Sequence, residues 1–495
     1  MTQKAISDVL NSKADASTAA TKQYVDAAIA AIPAGGGSGG SGTNIGDEGA
    51  GHVVVVDDQG NVVAGDTTEA DIIEALIKAG TYTLANTVGL DIDYANRTFT
   101  RIQESKNYTM GNDFNKYSMY GGRVKCNVAD DGTINAFYGQ AGYIEDGTNG
   151  QVMIYQPKFY YKRIILEADN ITVGKAVRHE LLLISQYQQP GFKLAPIFTG
   201  NLDYVLLPAY DASLINSKLA SVAGQTPMIN VNIDAAEDYA NARGQGWHIM
   251  NMAAESANQM LEMIEFGTLN GQEAIEYGII NIPSGSNGNC LFITGSTSSL
   301  GNGTGHAEST SVNINGNIST LSENGYRAIA YRGMENPWGN LWSMIGGINI
   351  HGNHSQDGGL PYICTNFNYN SNSIENNYVD AGFSLPNKIG WVNAMGYGKE
   401  EYDWVYIPSE CGSGANSWRP IGDGIWTIKD LNNTMSLATG GSFGYSDECG
   451  PFYYAADREA TSTARTNYGA KLLFIPTKNT IYTNNITKWT NYIGG

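Results

Sequence analysis

Apolar residues recur at helical spacing in only a few places along this chain. Over residues 1–32 a spacing of 3.5 selects Ile6, Leu10, Lys13, Ser17, Ala20, Tyr24, Ala27 and Ala31. Such a seam predicts a helix that is marginal alone and is stabilised in a trimeric coil. Pro33 ends it, and Ala34–Gly42 (AGGGSGGSG) reads as a flexible linker. Val53–Val56 and Val62–Ala64 flank Asp57-Asp58-Gln59-Gly60-Asn61, the pattern of a β-hairpin. Thr67–Ala79 follows as a helix. Thr68 can cap it, Ile72, Ile73, Leu76 and Ile77 share a face, and Gly80 stops it.

From about residue 88 the pattern changes. Short β-like runs alternate with glycine- and asparagine-rich stretches to about residue 476. Val152–Ile164 and Glu180–Ile184 read as strands, Ala235–Arg243 and Met252–Gly267 as amphipathic helices. The expected architecture is α+β. A helix over 1–33 and a linker over 34–46 lead into a small hairpin-and-helix region over 47–87. One large domain with few helices and long loops covers 88–478, and 479–495 is a tail. Long loops in a compact domain usually carry function.

Composition narrows the partners. Glycine (60) and tyrosine (30) are abundant, and the net charge is −19. Duplex nucleic acid and anionic membranes both require a basic footprint, which this chain lacks. No apolar run reaches transmembrane length, and the first residues show no signal-peptide core. Cys126, Cys290, Cys364, Cys411 and Cys449 form no CxxC pair, so reduced, mostly buried thiols are expected rather than a disulfide framework or zinc knuckle. A neutral polysaccharide or another protein fits better as partner.

Three segments carry a resemblance. Asn232–Gly267 holds Ala235, Tyr239, Ala240, Gly244, Trp247 and Ala254-Glu255, with His248-Ile249-Met250 before its second helix. Tyr331–Trp342 reads YRGMENPWGNLW and contains Arg332, Gly333, Asn336, Trp338, Gly339, Asn340 and Trp342. Gly440-Gly441-Ser442-Phe443 is followed by Arg465 and Gly469–Phe474. Together they resemble the formylglycine-generating-enzyme branch of the C-type lectin fold, used in phage receptor-binding proteins. His248-Ile249-Met250 stands where that family has Leu-Pro-Thr. The resemblance implies a C-type-lectin-like domain in which Trp338 and Trp342 anchor the core and Gly339 permits a tight turn. Thr21–Asp26 (TKQYVD), followed by an Ala/Ile stretch, is similar to trimerising segments of phage fibres. A homotrimer joined through its N-terminus to other virion proteins follows from that likeness.

Catalytic chemistry finds little support. The named family acts through two cysteines after its Gly-Gly-Ser-Phe segment; here Tyr445 stands at the first position and Cys449 is displaced from the second. Gly440–Gly444 matches G-x-S-x-G, but no histidine follows His354 and no helix pattern follows the serine. His351 and His354 with Asp357 are a weak transition-metal set on a glycine-rich loop. Calcium on loop oxygens is compatible with the resembled fold, yet no spaced acidic loop motif occurs. No enzyme activity and no resident cofactor are expected.

Two segments are the expected contact surfaces. In Thr365–Tyr378 (TNFNYNSNSIENNY) an extended backbone would put Asn366, Asn368, Asn370 and Asn372 on one side, Phe367 and Tyr369 on the other. Amides bond sugar hydroxyls and aromatic faces stack on sugar rings. Tyr445–Tyr454 offers Tyr445, Asp447, Tyr453 and Tyr454 beside the resembled fold's variable surface, and Trp418 is a third candidate. The expected function is a phage virion fibre or spike that binds a host-surface glycan or protein. A structural head fibre or decoration protein, and a virion glycan depolymerase, are the alternatives.

Overall fold

A computed structural model of the chain describes residues 52–56, 62–171, 173–282, 290–313, 316–321, 325–352, 358–366, 368–412, 421–427 and 433–494. The helix expected over residues 1–33 and the linker after it lie outside these. The chain divides into two compact units, residues 1–87 with 188–192, and residues 88–187 with 193–495.

In the smaller unit His52–Val56 pairs antiparallel with Val62–Thr68. Helix α1, Glu69–Lys78, starts at Thr68 through a reciprocal cap. The Asp71 amide donates to Thr68 Oγ1 at 3.2 Å, and the Thr68 amide donates to Asp71 Oδ2 at 2.7 Å.

The larger unit is not the α+β C-type-lectin-like domain expected from the sequence. Its described residues are sheet-rich, with a β-sandwich-like arrangement of several sheets and few helices. Among the described residues one sheet has fourteen strands and another six, with smaller two- and three-stranded sheets beside them. The reason lies in the glycine- and asparagine-rich stretches, many of which are tight turns between short strands rather than long loops. Tyr331–Trp342 illustrates this. Ala330 pairs with Glu335 and Tyr331 with Met334, leaving a two-residue turn of Arg332 (φ +43°) and Gly333 (φ +86°). Two consecutive positive φ values match the twist that a two-residue hairpin needs.

Val152–Ile164, read as one strand, is two. Gln151–Pro157 belongs to the six-stranded sheet and Tyr160–Asn170 to the fourteen-stranded one. Pro157 has no amide to continue the ladder, and the chain changes sheet just after it. Glu180–Ile184 is the inner part of a longer strand, Lys175–Ser185.

Among the described residues of this unit three helices pack besides single turns. Helix α2 is Ile233–Asn241, capped by Asn232, whose side-chain oxygen accepts from the Ala235 amide at 2.8 Å. Helix α3, Met252–Phe266, starts at Asn251 and stops at Gly267 in the left-handed region (φ +70°). All its residues but Ala253 are buried, although the helix carries Glu255, Asn258, Gln259, Glu262 and Glu265. Helix α4, Thr480–Gly494, occupies what the sequence reading left as a tail. Its Tyr482 stacks on Tyr204, Tyr204 on Tyr155, and Tyr155 on Trp489 of the same helix, with centroids 5.2, 4.5 and 5.1 Å apart. No helix among the described residues is long and apolar enough to cross a membrane.

Candidate functional site

A cleft of about 700 Å³ lies between α2, the bend of the strand Trp342–His351, and the asparagine-rich segment 368–378. Its construction begins in that strand. Pairing with Thr434–Thr439 is regular at Ile345↔Leu437 and resumes at Asn349↔Ser436, so the residues between form a bulge. Gly346 and Gly347 sit in it. A Cβ on Gly346 would meet the Tyr369 ring at 2.9 Å, and Gly347 has φ +72° with its would-be Cβ 3.1 Å from the same ring. Two glycines therefore make the slot that seats Tyr369.

Hydrogen bonds fix the ring and its loop. Asn251 accepts the Ala254 amide as the α3 cap and donates from Nδ2 to Tyr369 Oη at 2.7 Å. Burial and the Glu237 carboxylate push the Tyr369 hydroxyl pKa well up, so it stays a neutral hydroxyl. Asn349 Nδ2 donates to the carbonyls of Asn370 (2.7 Å) and Ser373 (2.6 Å), tying the loop to the strand. The Thr365 amide donates to the Asn377 carbonyl at 2.7 Å and closes the loop at its base.

The opposite wall is α2. Asp234, Glu237, Asp238 and Asn241 stand at i, i+3, i+4 and i+7 and line the cleft, while Ile233, Ala236 and Ala240 are buried. Glu237 is held from behind: His248 Nδ1 lies 2.7 Å from its Oε1, and the Ile249 amide donates to its Oε2 at 2.9 Å. Asp234 Oδ1 accepts from the Ser371 hydroxyl. Glu375 adds a further carboxylate from the loop. Among the described lining residues there is no lysine, arginine or histidine.

No family model matches this sequence, and no curated protein matches it. The site's chemistry therefore rests on its own geometry.

The sequence-expected residues divide between this cleft and the core. Asn368, Tyr369 and Asn370 line the cleft; Asn366 is exposed beside it. The extended arrangement expected for them is not what forms. The Asn368 amide donates to Asn366 Oδ1 at 2.9 Å and the Asn372 amide to Asn370 Oδ1 at 3.1 Å, so two side-chain oxygens close turns in their own loop. Tyr453 and Tyr454, expected to face a ligand, are fully buried. Tyr453 packs 4.6 Å from Trp342 and donates to Glu448 Oε2 at 2.8 Å; Tyr454 Oη accepts from Gln259 Nε2 at 2.6 Å. Tyr445 is half-buried against Trp342 and Trp426, and Asp447 is exposed. The polar residues between these rings suggested a loop, whereas Tyr454–Arg458 is an inner strand of the large sheet. Trp418, Phe367, His354 and Asp357 lie outside the described residues. His351 sits within hydrogen-bonding reach of Thr434 Oγ1 at 3.4 Å.

The residues of the resembled signature are core. Trp338 and Trp342 are buried, and Trp338 Nε1 donates to the Tyr277 carbonyl at 3.1 Å. Arg332 chelates buried Glu265 with bonds of 2.6 and 2.7 Å. Asn340 Nδ2 donates to Asp211 Oδ2 at 2.8 Å. Asn336, Gly339, Asn340, Gly440 and Gly441 all have positive φ. Ser442 of the formal G-x-S-x-G match is fully buried and is followed by a turn and a single 3-10 turn, Ser446–Glu448, rather than the α-helix an elbow needs.

Sequence reasoning missed Asp234, Glu237, Asp238, Gly346, Gly347, Asn349 and Glu375. Two signals were available: the acidic i, i+3, i+4 stripe on α2, and a glycine pair inside an apolar strand.

Proposed function

We propose that this chain is the host-recognition part of a bacteriophage fibre or spike, a homotrimer through residues 1–33, and that it binds a surface glycan noncovalently in the cleft described above. The observation that carries the binding reading is the cleft's lining: an immobilised tyrosine ring, amides of Asn241, Asn368 and Asn376, and carboxylates of α2 in one concavity. Sugar rings stack on aromatic faces, and their hydroxyls pair with amides and carboxylates in both directions. The virion reading rests on the likeness of Thr21–Asp26 and the Ala/Ile stretch after it to fibre trimerisation segments.

The test blocks the cleft from both walls. Asp238 and Glu375 are exposed, so Asp238→Trp and Glu375→Trp fill it without disturbing the core. The free chain should inhibit adsorption of the particle to host cells, and the double variant should not. Equal inhibition by both proteins would move the binding surface elsewhere. Release of reducing ends from host glycan by the free chain would replace binding with cleavage.

A further inference from the structure

We infer that the ligand of this cleft carries protonated amines, and that the glycan it takes is one containing unacetylated amino sugars. The inference rests on the glycan reading above and deepens it. Three carboxylates in the cleft are exposed: Asp234 and Asp238 one helical turn apart on α2, and Glu375 on the facing loop. The carboxylate oxygens of Asp238 and Glu375 have no hydrogen-bond or ion-pair partner among the described residues, whereas Asp234 Oδ1 accepts from the Ser371 hydroxyl. Like charges at i and i+4 repel on a helix. No cation among the described lining residues relieves that repulsion. Glu237 differs, since both its oxygens are engaged by His248 and Ile249, which makes it part of the wall.

A neutral sugar needs no such concentration of one charge, and an anionic one is repelled by it. A sugar ammonium group gains both ways. It donates up to three hydrogen bonds to carboxylate oxygens, and the concave low-dielectric walls strengthen the attraction. Tyr369 and the asparagine amides remain for the ring and its hydroxyls.

The experiment compares binding of glucosamine oligomers and N-acetylglucosamine oligomers of equal length to the full chain. It uses calorimetry at a pH at which the sugar amine is protonated. The glucosamine oligomer should bind roughly tenfold tighter, and added salt should erase most of that preference. The triple variant Asp234→Asn, Asp238→Asn, Glu375→Gln should bind the two oligomers alike while keeping the parent's cooperative unfolding, since an asparagine at 234 keeps an oxygen for the Ser371 hydroxyl. A preference that persists in the triple variant would assign it to the chain's overall −19 charge and overturn the proposal. Equal affinity of the parent for both oligomers would overturn the charge inference and leave the glycan reading standing. Binding of neither, with adsorption blocked equally by the cleft-filled variant, would remove both.

Discussion

At the scale of single residues, the same residue type does different work according to what backs it. Tyr369 sits in a glycine slot with its hydroxyl held by Asn251, whereas Tyr453 and Tyr454 are enclosed by Trp342, Glu448 and Gln259. Substituting Tyr445, Tyr453 and Tyr454 together by alanine should therefore unfold the large unit rather than abolish binding in a folded protein. Each fully buried ring is worth about 3–5 kcal/mol. Urea denaturation of the triple variant checks this; a native-like midpoint would place the rings outside the core. Gly347→Ala combines a left-handed backbone with a Cβ against Tyr369, and should cost about 1–2 kcal/mol while loosening the loop. Its signature is a lowered melting temperature accompanied by weaker glycan binding.

At the scale of elements, α3 and α4 make opposite bargains with the core. Helix α3 buries carboxylates. Burial pushes the Glu255 carboxyl up to about 7 against the opposing pull of Lys471, and burial with the nearby Glu255 charge pushes Glu262 well up. A carboxyl whose pKa is higher folded than unfolded binds its proton more tightly in the native state. Its stabilisation is full below the unfolded value near 4.5 and is lost as pH rises towards about 7. Stability should thus fall between pH 5 and pH 7, by on the order of 2 kcal/mol from Glu255. Glu255→Gln should flatten that slope, and urea midpoints at several pH values would show it. Helix α4 contributes rings instead. Trp489→Ala removes one end of the Tyr482–Tyr204–Tyr155–Trp489 stack and should lower stability by about 3 kcal/mol, with a reduced near-ultraviolet dichroism signal.

At the scale of the whole molecule, the proposed trimer should be separable from the folding of the large unit. A chain beginning at Thr43 should keep the cooperative unfolding of the large unit and scatter light as one chain mass; the full chain should scatter as about three. Loss of cooperative unfolding on truncation would make the N-terminal segment part of the core.

The sequence by itself determined the local elements. α1 was legible from Thr68 and its apolar face, and α2 and α3 from their periodicity to within two residues at each end. These follow from period, caps and side-chain chemistry, which act over a few residues. Tertiary structure alone decided the rest. Sheet membership depends on hydrogen bonds between strands far apart in sequence, so Val152–Ile164 could not be divided between two sheets from its apolar run. The same holds for burial: only strand pairing puts Tyr454 inside the large sheet and Tyr369 over a glycine bulge. The cleft joins residues 233–241, 345–349 and 368–378, and its acidity arises because α2 meets the loop across the bulged strand, a juxtaposition that no local pattern records.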